Sequence, residues 1–165
     1  MRPVLDLESH AGSYKLAFEE GGRALDAQER AVNELRSRAG VLVAAAAITT
    51  SFFGSRALTG GPLTVAGWIA IAAFALVAAI VLAVLWPWRD WAFSATPQNV
   101  IATYIETSDP VTLVVIHRDM ALHRSASWLS NARLLGRLYW ALRAGLALVA
   151  AEVAAWVVVL GGQGY

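Results

Sequence analysis

The chain has 165 residues, 58% of them hydrophobic, with a mean hydropathy of +0.54 and a formal net charge of +1. That length leaves no room for a membrane part plus a separate catalytic domain, and the near-zero net charge points to no acidic or basic partner. The absence of cysteine excludes disulfides and thiolate metal sites.

Residues 1–22 are weakly patterned. Leu7, Tyr14, Leu16 and Phe18 are compatible with a short docking helix or with a frayed tail, and Glu19-Glu20-Gly21-Gly22 closes the stretch. Charges run throughout residues 1–38 with no apolar core between them, so no signal peptide is expected there. From Arg23 the pattern tightens. Leu25, Gln28, Val32, Leu35, Ala39 and Leu42 alternate at spacings of three and four, the seam of a coiled-coil-like helix. Asp26→Arg30 and Glu34→Arg38 are i,i+4 pairs in the favourable orientation, each contributing a few tenths of a kcal/mol. The seam serves either packing within the chain or self-association.

The helix continues without a breaker into a first apolar span, 39–58, interrupted by Thr49, Thr50, Ser51 and Arg56. Hydroxyls bond back to helix carbonyls, and an arginine near the end of a span snorkels to the headgroups. Thr59-Gly60-Gly61-Pro62 is the expected turn of a hairpin, with Pro62 opening the next helix. Residues 63–86 then run without a charge. A hydrocarbon core ~30 Å thick requires about 20 such residues, so this stretch spans with room for tilt. Trp86, Trp88, Trp91 and Phe93 suit one interfacial belt and Trp68 the other.

Thr96-Pro97 starts a short helix to about residue 107, with Val100, Ile101, Tyr104 and Ile105 as its apolar face. Ser108-Asp109-Pro110 repeats the start signal for a long helix. No strong breaker separates that helix from the last apolar stretch, 142–160, although Gly136 and Gly145 could bend it. A continuous helix over 111–160 would extend about 75 Å.

The expected fold is therefore all-α: an integral membrane protein with three transmembrane helices, a helical hairpin plus a C-terminal span, and a helical cytosolic stalk. Residues 1–38 form the cytosolic amphipathic region, 39–86 the hairpin, 87–141 the cytosolic helices and 142–165 the last span with its tail. Six basic residues precede the first span, one lies at the hairpin tip and six lie between Arg89 and Arg143. The positive-inside rule then places the N-terminus and 87–141 in the cytoplasm and the C-terminus outside the inner membrane.

Glu152 is the most informative single residue, ten residues into the third span, with Thr49 and Thr50 at matching depth in the first. An intramembrane carboxyl is costly and faces a partner, a cavity or another subunit. Three readings compete: structural glue to Thr49, Thr50 or Ser51, the lining of an oligomeric pore, or a proton relay that lacks a second intramembrane acid or base. Small residues at every fourth position, Ala75, Ala79 and Ala83 and again Ala147, Ala151 and Ala155, offer close helix approach. Three helices make a thin bundle, and a homo-oligomer is expected.

On the cytosolic helix, Arg118, Arg124, Arg133 and Arg137 form a basic set for an anionic ligand, a nucleotide or lipid headgroups. His117 and His123, with Asp119, lack the spacing of a zinc site, and they read as surface histidines. There is no phosphate-binding glycine loop, nucleophile elbow, H-E-x-x-H or paired cytosolic carboxylates, so neither catalysis nor a cofactor is expected. No nucleic-acid polymer is expected as a partner.

The lead-in helix carrying NELRSRAG, the two-span hairpin, the cytosolic helical region with its stretch from Asp119-Met120-Ala121 to Asn131, and the closing span together resemble small bacterial membrane effectors of antiphage signalling, the Pycsar transmembrane and SLATT-type proteins. The resemblance covers most of the chain and rests on architecture. It implies an effector that senses a cyclic-nucleotide signal, oligomerises and impairs the inner membrane. The alternatives are a non-catalytic membrane scaffold that recruits a cytosolic partner, and a small oligomeric channel.

Overall fold

The computed structural model describes residues 8–59, 62–86, 91, 97–106 and 111–162. Among these the chain is all-helical, with no strand. A 3₁₀ turn, Glu8–His10, leads into α1, Ala11–Thr59; α2 is Val65–Leu85; one α-turn, α3, Pro97–Val100, runs into a π-helical turn, Ile101–Ile105; and α4 is Leu113–Gly162. Three of these helices, α1, α2 and α4, are long and apolar enough to cross a membrane.

The helix starts earlier than the pattern predicts. α1 is already helical at Ala11, twelve residues before Arg23, and Gly21-Gly22 do not interrupt it. Isolated, two adjacent glycines would cost a helix about 1 kcal/mol each relative to alanine. Here they are covered by a side chain from α4, described below. Residues 11–22 are thus a docked helix and not a frayed tail.

The seam behaves as its spacing requires: Leu25, Gln28, Val32, Leu35, Ala39 and Leu42 are all buried, and Ala46 extends the series. On α4, Asn131, Leu138, Gly145, Glu152 and Val159 are buried, each seven residues after the last, and Val114 and Trp156 are buried beside that series. A strict seven-residue repeat keeps one face of a helix toward its neighbour in a left-handed supercoil. α4 is unbroken at Gly136 and Gly145. Gly145 serves close approach instead of bending, since a Cβ there would stand 2.7 Å from Leu42 Cδ2 and 3.7 Å from Ile80 Cγ2.

α2 is capped by Thr64, whose Oγ1 accepts from the Gly67 N–H at 3.3 Å, so the helix opens at Val65, three residues after Pro62 and not at it. It buries Gly67, Ala70, Ala73, Val77, Val81 and Val84. Of the two uses open to the alanine stripes, packing within one chain or between copies, the first is not realised. Ala75, Ala79 and Ala83 are exposed, as are Ala147 and Ala151, with only Ala155 half-buried. A four-residue repeat drifts around a 3.6-residue helix, whereas the α2 positions that pack mix spacings of three and four and so average close to the helical period. The expected face of the 97–107 helix is only half realised: Val100 and Tyr104 are half-buried, while Ile101 and Ile105 are exposed. The signals at Gly60-Gly61, Trp88, Phe93, Thr96 and Ser108–Pro110, and Leu7, lie outside the described residues.

The chain forms two compact units. The first comprises Met1–Ala31 and Trp88–Leu135, the second Val32–Pro87 and Gly136–Tyr165. α1 and α4 contribute to both, and α2 belongs to the second.

Candidate functional site

The first unit holds a cleft of about 530 Å³ between α1 and α4. Its floor is made of small residues, Ala17, Gly21, Ala24 and Ala121, which let the two backbones approach. Tyr14, Leu122 and Trp128 supply apolar walls, and Arg118, Arg124, Glu20 and Ser125 its polar groups.

Arg124 is the organising side chain. Its Nη1 donates to the Phe18 carbonyl at 2.6 Å, and its guanidinium carbon lies 3.7 Å above the Phe18 ring centroid. To reach a helix carbonyl it must cross α1 where α1 is thinnest. A Cβ on Gly22 would stand 2.8 Å from Arg124 Nη1, and one on Gly21 would stand 3.1 Å from Arg124 Cβ. The pair of glycines is therefore the groove in which the arginine lies. The far side of this arrangement is His117, whose ring centroid is 5.4 Å from that of Phe18. His117 is half-buried there, while His123 is exposed. No group of three or more His, Cys, Asp or Glu capable of holding a metal occurs among the described residues.

Arg118 lines the same cleft and pairs with Asp119 at 3.3 Å. Arg133 and Arg137, grouped with them by sequence, are exposed and take no part in the cleft. Below the cleft the buried seam carries polar residues: Gln28 Nε2 donates to the Trp128 carbonyl at 3.0 Å, and Asn131 is fully buried. A polar residue at a seam position fixes register at some cost in stability.

In the second unit the candidates separate sharply. Thr50 Oγ1 donates to Glu152 Oε1 at 2.5 Å, joining α1 to α4. Glu152 is wholly buried, the costliest position for a carboxyl and one that requires a partner. Thr49 has no share in this contact; its hydroxyl bonds back to the Ala45 carbonyl at 3.0 Å. One turn beyond Glu152, Trp156 is buried in a cluster with Ala57, Ala70 and Val159. Its ring edge lies 3.5 Å from where a Cβ of Gly54 would be. Glu152 Oε2 and Trp156 Nε1 are buried without a well-aligned hydrogen bond. Beside them a 310 Å³ cleft is lined by Thr50, Ser51, Ser55 and Trp156, among others.

Sequence reasoning missed three elements of this arrangement: the partners on which Phe18 docks, the glycine groove, and the seven-residue repeat of α4. The last was present as spacing, but three of its five members, Asn131, Gly145 and Glu152, are not large apolar residues, so a search for hydrophobic periodicity passes over it. No family model, no curated protein and no solved structure matches this chain.

Proposed function

We propose that the protein is a non-catalytic membrane effector of a bacterial antiphage signalling system. α1, α2 and α4 span the inner membrane, with the N-terminus and residues 87–141 in the cytoplasm and the C-terminus outside. A small anionic signal of the cyclic-nucleotide kind enters the cleft of the first unit. Copies of the chain then oligomerise, and the spans rearrange to impair the bilayer. The observation that supports this reading best is the cleft itself. Two arginines and an exposed-edge tryptophan line a cavity large enough for a small ligand, on helices that run on as two of the apolar spans. Cations and aromatic faces are the groups that recognise phosphates and nucleobases. A ligand that draws Arg124 away from the Phe18 carbonyl would free the glycine groove and change how α1 and α4 pack.

The test is membrane potential in bacteria with inducible expression, alone and with a panel of co-expressed nucleotide cyclases. Depolarisation that requires one cyclase and is abolished by Arg118→Ala is the expected result. A flat potential in every condition, with the protein verified in the membrane, would overturn the reading. A second reading, a constitutive scaffold that recruits a cytosolic partner, is favoured by the Thr50–Glu152 contact, since a buried pair within one chain suits a static bundle. A stoichiometric cytosolic partner recovered without any leak would select it.

A further inference from the structure

The second unit contains five arginines, Arg36, Arg38, Arg56, Arg137 and Arg143, and two acids, Glu34 and Glu152. Both acids are occupied. Glu34 pairs with Arg38 at 2.5 Å, and Glu152 is buried with Thr50. Arg36, Arg137 and Arg143 have no carboxylate among the described residues of that unit.

These arginines fall within about two helical turns of one another along α1 and α4. α1 and α4 run side by side with an offset of 102 residues at Thr50–Glu152. The Gly54–Trp156 approach keeps the same offset, and Leu42–Gly145 differs from it by one. The same register sets Arg36 and Arg38 beside the turn of α4 that begins at Arg137. On α4, Arg137, Trp140 and Arg143 follow at intervals of three and all are exposed, Trp140 to 70%. The Arg143 guanidinium lies 5.5 Å from the Trp140 ring centroid, and Tyr139 is exposed beside it. On α1, the Nε–H of Arg36 is buried without any partner. A guanidinium donor withdrawn from water and left unpaired is costly unless an anion meets it. Immediately beyond this band both helices become apolar: 39–55 carries no charge, and after Arg143 the next charge is the buried Glu152.

We infer that this band is a binding site for the phosphodiester headgroup of an anionic glycerophospholipid. Arg36, Arg137 and Arg143 supply the cations, while Trp140 and Tyr139 lie at the headgroup level. The inference rests on the membrane-spanning reading of α1 and α4, and not on the effector role. Arginine fits because its planar fork meets two phosphate oxygens at once, and the Trp140 ring, 5.5 Å from the Arg143 guanidinium carbon, gives that side chain a cation–π neighbour. Each basic residue near an anionic surface contributes roughly a fivefold gain in affinity.

The experiment is native mass spectrometry of the full chain released from nanodiscs of phosphatidylcholine with or without phosphatidylglycerol, with alkaline carbonate extraction of the expressed protein run in parallel. Selective retention of phosphatidylglycerol is expected, reduced at least tenfold by Arg137→Gln with Arg143→Gln and unchanged by Arg30→Gln, which removes a charge outside the band. Excess inorganic phosphate should not displace the lipid. A chain that resists carbonate extraction but retains both lipids equally overturns the inference and leaves the membrane reading standing. Equal losses in the double variant and in Arg30→Gln also overturn it, because bulk charge would then suffice. A chain extracted by carbonate sinks both.

Discussion

The two units are built from the same two helices, yet they arrange polarity in opposite ways. In the first, ion pairs sit on the outside, Lys15–Glu19, Glu20–Arg23 and Arg118–Asp119. Its buried seam is closed by Leu25 and Gln28. In the second, exposed charge is limited to the Glu34–Arg38 pair, Arg56, Arg137 and Arg143, the rest of the outside carries Val41, Ile48, Phe52, Leu76, Leu82, Leu146 and Val158, and the inside holds a carboxyl, a hydroxyl and an indole. A helix meeting water turns its charges outward. One meeting hydrocarbon gains nothing by hiding leucines, and associates through small residues, shape and a few interhelical hydrogen bonds. On the proposed membrane-spanning reading, the contrast teaches that a single helical seam can serve both solvents, provided that what flanks it changes.

The sharpest way to break the second unit is to remove its largest buried side chain. Trp156→Ala should cost about 3–5 kcal/mol through the cavity it leaves, read as a lower midpoint of helical loss in detergent with added denaturant. Gly145→Val comes next. Its side chain would meet Leu42 and Ile80, and about 1–3 kcal/mol of overpacking is expected, whereas Gly136→Ala, open on all sides, should lose nothing. A double-mutant cycle of Thr50→Val and Glu152→Leu should give a coupling of about 0.6–2 kcal/mol, the range for hydrogen bonds between membrane helices. A coupling near zero would remove that contact as a tie between α1 and α4.

In the first unit the effects are smaller and of opposite sign. Gly12→Ala, with nothing within 4 Å, should stabilise by about 0.5–1 kcal/mol from helix propensity alone. Gly22→Ala should forfeit that gain, because the new methyl meets Arg124. Equal stabilisation by the two substitutions would show that the groove does not hold the arginine. Smallest of all, Glu19→Gln should change thermal stability by no more than a few tenths of a kcal/mol, since its partner Lys15 is an exposed neighbour one turn away.

Much of this was legible in the sequence for a physical reason: long uninterrupted apolar runs and a three-four spacing each demand a helix. The α1 seam, the uncharged α2 and the unbroken α4 followed directly. The site was legible only in part. Thr50 and Glu152 were matched by depth, but depth alone does not separate Thr50 from Thr49, which point 100° apart around the helix. Arg118 and Arg124 were grouped with Arg133 and Arg137 by charge, although only the first two line the cleft. Phe18 was unreadable because its partners lie about a hundred residues away, and Gly21-Gly22 looked like a stop because the arginine that covers them is equally distant.

The stripe of α2 has a consequence for how this helix tolerates change. Every face of α2 is apolar, so chemistry gives it no preferred rotation about its own axis. In its first half size separates the faces, with Gly67, Ala70 and Ala73 inside and Trp68 and Ile69 outside, whereas further along the buried Val77, Val81 and Val84 are larger than the exposed Ala75, Ala79 and Ala83. Orientation in that first half is thus written in side-chain volume and not in hydrophobicity. Exchanges among outer aliphatic residues would drift freely over generations, while one added methylene at Ala73 would turn the helix as surely as a charge turns a helix in water.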